Sequence, residues 1–201
     1  MNKVYVSLGA DCGGAGALRE AGNKTFSFPF DWLVCFHSVH MPFQHNFNGF
    51  LKDKVMVQSH EVNPKYAIKF FHRELIKDYD VTLQRRVDRL LKFLEDSDKE
   101  LIFIRRSHGV EHHMEMANCG CLPMEDIDDV KDIMLLKDIL ISKYPNLKFR
   151  INLFLQCPHC NKNQQDFNDE HVSIKVSTQK HIKGLNLEPW AREFVNWVKT
   201  L

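Results

Sequence analysis

The spacing of apolar residues changes period several times along the chain, and each change marks an element. Residues 3–9, "KVYVSLG", alternate and then run apolar as a buried strand does. The stretch "CGGAGALREAG" (12–22) follows as a helix with small residues on its packed face and Gly22 as its stop. A strand, a tight turn and a helix N-terminus therefore succeed one another directly. "FSFPFDWLVC" (26–35) is aromatic and carries Pro29, which predicts an ordered loop entering a short helix around "DWLVCFHSVH" (31–40). "KVMVQSH" (54–60) and "YAIKFFH" (66–72) read as two strands of a hairpin.

Helical spacing is clearest in "DVTLQRRVDRLLKFLEDS" (80–97), where Val81, Leu83, Val87, Leu90, Leu91 and Leu94 recur with Arg and Asp on the other face. "ELIFIR" (100–105) and "LKFRINLFL" (147–155) are near-continuous apolar runs, the pattern of strands buried on both faces. Between them "DIDDVKDIMLLKDILISKYP" (126–145) is an amphipathic helix opened by acids. "VSIKV" (172–176) reads as a last strand, and "EPWAREFVNWVKTL" (188–201) as a terminal helix with Pro189 in its first turn. Helices of crossover length alternate with apolar strands. This order predicts an α/β fold, a single three-layer domain over 1–201 with a partly parallel, mixed sheet and helices on both faces. In such folds ligands gather at the carboxyl ends of the strands, where Cys12, His72, Arg105 and Cys157 fall if their strands are parallel.

A length of 201 residues suits one domain, and 27 Lys plus Arg against 26 Asp plus Glu leave no large field of one sign. Neither nucleic acid nor a membrane surface is thus an expected partner, and composition leaves the oligomeric state open. "MNKVYVSLG" has the form of neither a signal peptide nor a membrane span, so an intracellular, cytoplasmic protein is expected. The six cysteines are two isolated residues, Cys12 and Cys35, and two close pairs, "CGC" (119–121) and "CPHC" (157–160). For an intracellular chain this favours free thiols, metal or redox chemistry over a disulfide framework.

Cys12 stands where a strand gives way to a helix, so unpaired amides and the positive end of the helix dipole favour its thiolate. The amides of Gly9, Gly13 and Gly14 are candidate oxyanion donors, and Ser7 and Asp11 flank the same turn. A small residue filling a tight turn accounts for Cys12 equally well. Among eleven histidines His72 stands out because it closes a strand, and its side chain would reach a turn at the end of a neighbouring first strand. His108, His112 and His113 are the next candidates, while His37, His40 and His45 fit a surface helix or its flank. Arg105 and Arg106 at a strand end suit a grip on carboxylate or phosphate, whereas Arg85, Arg86 and Arg89 read as a solvated helix face.

"VSLGADCGGAGALREAG", "SFPFDWL", "KYAIKFFHREL" and "LQRRVDRLLKFLEDSDKELIFIRR", in that order, resemble the predicted papain-like cysteine peptidases, a family of unknown function with viral and bacterial members. The likeness covers roughly residues 4–106. It implies Cys12 as nucleophile, His72 as the base that takes its proton, and a third group holding the imidazole, for which Asp31 of "PFDW" is the choice. Asp31 also fits a plain helix cap, with Phe26, Phe28, Phe30 and Trp32 covering the sheet. Since a strand precedes the Cys12 helix, the class implied is the broader one of cysteine hydrolases and acyl transferases. Its substrate would be a peptide or an anionic small molecule, and the chemistry requires no cofactor.

Other readings stay open. Cys119, Cys121, Cys157 and Cys160 are four potential thiolates for a structural zinc that would tie two loops together, with His159 or His113 as substitutes. "HGVEHH" is a weaker metal candidate, because Gly109 weakens the helix that would align His108 and His112. "CPHC" after an apolar strand has the Cys-x-x-Cys form of a thiol redox site, but such a motif opens a helix and "NKNQQDFNDEHV" behind it lacks a helical period. From a different class comes a non-catalytic interaction protein, of the kind a virus encodes, whose turn at Cys12 binds a small anion or a host partner.

Overall fold

The computed structural model describes residues 2–9, 11–35, 38–57, 60–70, 73–107, 128–155, 165–177 and 189–201. Its main sheet has the order β1 (Asn2–Ser7), β6 (Lys99–Arg106), β7 (Lys148–Leu155), β9 (Val172–Val176) and β8 (Phe167–Asn168). The first four strands are mutually parallel and β8 is antiparallel. The expected α/β architecture is thus observed, including the mixed sheet. Strands β6 and β7 are buried along nearly their whole length, which is why their sequences run apolar without alternation.

One face of the sheet is covered by α1 (Gly13–Glu20) and α5 (Pro189–Val198), whose Ala17, Leu18, Phe194 and Val198 pack on Ile102, Ile104 and Phe154. Helix α1 ends as its sequence predicts. Gly22 takes φ +75°, and the N–H groups of Gly22 and Asn23 donate to the carbonyls of Arg19 and Leu18, satisfying orphan acceptors of the last turn. The other face receives α3 (Tyr79–Leu94) and α4 (Asp129–Lys143) through Leu83, Val87, Leu90, Ile133, Leu136 and Leu140. Asp128 caps α4 by accepting from Val130 and Lys131, both at 3.0 Å. Val81, although it fits the apolar spacing of α3, is 72% exposed, and Tyr79 occupies the buried edge instead.

The region between α1 and α3 departs from expectation. Pro29–Trp32 form a 3-10 turn, Leu33–Cys35 then form a strand, β2, and the short helix α2 starts only at His40 and ends at Gln44. The two expected strands resolve into the hairpin β3 (Val55–Val57) and β4 (His60–Asn63), followed by β5 (Ile68–Phe70). With β2 they make a separate antiparallel sheet of order β2-β5-β4-β3, packed against the main core through Leu33, Cys35, Ile68 and Phe70. The strand leading to His72 therefore neighbours β2 and β4, not β1, which corrects the expected neighbourhood. No local pattern in three-residue strands distinguishes those two pairings.

Helix α2 is held at both ends by α4. Asp132 accepts from the N–H groups of Val39 (2.8 Å) and His40 (3.1 Å), and the His40 ring Nδ1 meets it at 2.6 Å. At the far end Lys143 donates to the carbonyls of Phe43 (3.1 Å) and Gln44 (2.7 Å). Two residues of one helix thus satisfy orphan groups at opposite ends of another.

Candidate functional site

The carboxyl ends of β1 and β6 meet at the turn that leads into α1. Leu8 N–H donates to Ile104 O at 2.8 Å, so the pairing of the two strands continues into the turn. Cys12 is the N-cap residue of α1 and is exposed. Asp11 lies across the helix start, its Oδ1 accepting from Gly13 N–H at 2.7 Å. Arg106, at the end of β6, closes on the same carboxylate, with Nε 3.2 Å from Oδ1 and Nη2 bonded to Oδ2. The guanidinium passes directly over Gly13, where any side-chain carbon would collide with it, so the close approach requires glycine there. The same guanidinium lies 5.8 Å from the Phe194 ring of α5.

This arrangement alters the expected chemistry of Cys12. Burial of its surroundings, and next the Asp11 carboxylate, push the thiol above its ordinary pKa, against the opposing pull of Arg106, the local backbone and Arg19. The surroundings thus act in the direction of the protonated thiol, opposite to the thiolate that the helix dipole alone favours. The expected oxyanion donor at Gly13 is also taken, since its N–H serves Asp11. Ser7 is fully buried and its Oγ is 3.5 Å from Gly9 N. Gly9 itself packs against Cys35 and Phe30 of the second sheet's region.

Arg105 and Arg106 are consecutive, and the alternation of a strand sends them to opposite faces. Arg105 is fully buried on the face of α4, where Nε donates to Asp129 Oδ1 at 2.9 Å, Nη1 to Leu8 O at 3.1 Å and Nη2 to Cys35 O at 3.2 Å. The structure thus gives it a bracing position behind the turn, in place of the expected grip on a substrate anion. Burial opposes its charge, but Asp129, Cys35 and Asp132 more than offset that and its pKa is raised. Burial likewise pushes the Cys35 thiol up to about 12, leaving Cys12 as the more reactive of the two described cysteines.

Asp31 is fully buried, as a group of mechanistic weight often is, but its partners are structural. It accepts from Phe28 N–H at 2.9 Å and from Lys24 Nζ at 2.5 Å, closing the 3-10 turn reciprocally with Phe28. Its Oδ1 has no hydrogen bond among the described residues. Asp31 thus closes the 3-10 turn it belongs to, and the helix expected after it is replaced by the strand β2. His72, its expected triad partner, lies outside the described residues, as do His37, His108, His112, His113 and His159. Strand β5, which ends two residues before His72, finishes opposite Leu33 at the start of β2. Cys119, Cys121, Cys157 and Cys160, the expected zinc ligands, also lie outside them. No group of His, Cys, Asp and Glu able to hold a metal ion occurs among the described residues.

The same end of the sheet carries two residues that sequence reasoning did not single out. Ser177, buried just beyond β9, donates its hydroxyl to Glu193 of α5 at 2.5 Å, and Phe194 beside that glutamate faces Arg106. Nothing in their spacing announces the contact, because it is made by two elements that meet only in the folded layer.

Residues 3–78 match the family model described as "Putative papain-like cysteine peptidase (DUF1796)". The matched segment contains Asp11, Cys12, Asp31 and His72, and ends before α3. No curated protein and no solved structure matches the chain. No helix among the described residues is long and apolar enough to cross a membrane.

Proposed function

We propose that the protein is a cysteine-dependent hydrolase or acyl transferase in which Cys12 is the nucleophile. The observation that carries this reading is the position of Cys12, exposed at the start of α1 beside the Asp11–Arg106 pair, within the segment that matches a cysteine peptidase model. A thiol whose pKa lies above the ordinary value needs a base at the moment of attack. His72 is assigned that role. In the reaction the Cys12 Sγ bonds to the acyl carbon while its proton passes to His72. The leaving group departs with that proton, and water or another acceptor then cleaves the thioester.

Arg106, once a substrate displaces Asp11 from it, and the first-turn amides of α1 beyond Gly13 are the cationic and neutral donors assigned to the developing oxyanion. Because Asp11 occupies both Arg106 and the Gly13 amide at rest, a substrate with a carboxylate or similar anionic group competes with Asp11 for the guanidinium. A peptide or a small anionic acyl compound fits this requirement.

The test is the pH dependence of iodoacetamide labelling at Cys12, read by peptide mass in wild type, Asp11→Asn and His72→Ala. Faster labelling in Asp11→Asn, together with a slower, right-shifted profile in His72→Ala, supports the assignment. A Cys12 that is inert to iodoacetamide at every pH at which the protein stays folded overturns it.

A further inference from the structure

Four guanidinium groups and one ammonium gather where α1, the segment 24–32 and α3 adjoin. The 3-10 turn Pro29–Trp32 touches both helices. On α3, Arg85, Arg89 and Lys92 recur at i, i+4 and i+7 and so share one stripe, with Arg86 at its inner edge. The stripe spans about 10 Å along the axis. Arg89 donates to Ser27 O at 2.6 Å and lies 5.9 Å from the centre of the Phe26 ring. Arg19 lies 5.8 Å from the centre of the Trp32 ring.

Of three acids nearby, two are ion-paired and the third, Asp88, has a neutral amide for its partner. Asp31 is buried against Lys24, Glu20 pairs with Lys199 at 3.1 Å, and Asp88 accepts from Gln84 at 2.8 Å along the outer edge of the stripe. Arg86 is half-buried, and the cost of burial, beyond what Asp31 and Tyr79 return, leaves its charge disfavoured, with Arg89 and Arg85 adding repulsion. A cation held partly out of water among like charges is stabilised by an incoming anion.

We infer that this junction is a binding surface for single-stranded nucleic acid, its phosphates held by Arg85, Arg86, Arg89 and Lys92 and its bases stacked at Phe26 and Trp32. Guanidinium groups, three of the four cations, suit the planar, bidentate demand of phosphate better than ammonium groups do. Phe26 is 37% exposed and lies among Phe28, Phe93 and Arg89, so part of its ring is open to solvent beside the cations. An acidic peptide would use the charges and leave the rings idle, which favours a ligand with both phosphates and π-faces. The surface is independent of the Cys12 reading.

The test is fluorescence anisotropy with a labelled, mixed-sequence single-stranded RNA of twelve nucleotides, at 50 and 200 mM salt, with polyglutamate as competitor. Four phosphate-bound cations predict a slope of about −3 in log K against log salt. Arg85→Glu, at an exposed position that leaves the packing intact, should weaken binding by about tenfold, and Phe26→Ala should weaken it at both salt concentrations. Absence of saturable binding overturns the inference, as does binding unchanged by Arg85→Glu or binding that polyglutamate abolishes at equal charge. Iodoacetamide labelling of Cys12 in Arg85→Glu should equal that of wild type, so the two proposals fail separately.

Discussion

Arg105 and Arg106 are chemically identical, adjacent in the chain and placed at the end of the same strand, yet they do opposite things. Arg105 turns toward α4 and is enclosed, its donors directed to Asp129 and to the carbonyls of Leu8 and Cys35. Arg106 turns toward α1 and α5, lies across Gly13 and holds Asp11 beside an exposed thiol. One arginine fixes the backbone of the site from behind, and the other supplies charge at its front. The difference follows from which layer each side of the sheet meets: a closed one on the α4 side, and the helix start that carries Cys12 on the other.

The contrast can be broken most forcefully at Arg105. Arg105→Ala takes the guanidinium away from buried Asp129 and removes the bonds it donates to the Leu8 and Cys35 carbonyls, and should cost about 3–5 kcal/mol in urea denaturation. The double variant Arg105→Met, Asp129→Asn should recover part of that loss, since it removes both charges together. An Arg105→Ala protein as stable as wild type would mean that the bracing assigned to Arg105 is wrong.

A smaller effect is expected at Asp132, which links α4 to α2 on the same enclosed side. Burial opposes its charge, but the His40 hydrogen bond, Arg105 and the amides of Val39 and His40 hold its pKa below the ordinary carboxylate value. A carboxylate depressed on folding stabilises the protein above its unfolded pKa, and that contribution is lost as pH falls through the lower, folded value. Wild type should therefore lose stability on acidification in that window, while Asp132→Asn starts lower, by about 1–3 kcal/mol, and shows less of the acid-dependent loss. Denaturant midpoints measured from pH 7 downward check both statements.

On the Arg106 side the effect should appear more in reactivity than in stability. Asp11→Asn removes the charge that favours a protonated Cys12, so the labelling profile should move to lower pH, with a severalfold rise in rate at neutral pH. Arg106→Ala should move it the opposite way. The accompanying loss of stability should stay at about 1–2 kcal/mol for either, because the pair is largely shielded from solvent and each variant leaves one partner's hydrogen bond unmade. The smallest effect is expected at Val81→Thr on α3, within about 0.5 kcal/mol, whereas Leu83→Ala should cost about 2–5 kcal/mol. Equal costs at 81 and 83 would mean that α3 is rotated on the sheet.

Much of this was legible in local pattern. The long helix over residues 80–97, the apolar runs at 100–105 and 147–155, and the Gly22 stop each follow from periodicity or cap chemistry, which act within a few residues. Position 81 was not, because a residue at the margin of an apolar stripe is buried or exposed according to the tilt of the helix on its sheet. The second sheet was not legible either, since strands of three residues carry too little alternation to choose among partners. For Cys12, its place between strand and helix could be read directly. The sign of its pKa shift could not, because burial by the surrounding layers sets it first and Asp11 next, against the opposing pull of Arg106 from ninety-four positions away.

What the sequence by itself determined was the long helices and the apolar strands of the main sheet, their α/β order and the turn that presents Cys12, all of which depend on near-neighbour sterics, hydrogen bonding and hydrophobic period. Only the tertiary structure decided which arginine is enclosed, that Asp31 closes a turn against Lys24, that β5 lies beside β2, and that Arg89 of α3 lies against Phe26. These depend on which surfaces meet when layers stack. Burial and charge are properties of that meeting, summed over residues distant in the chain, and no local pattern encodes them.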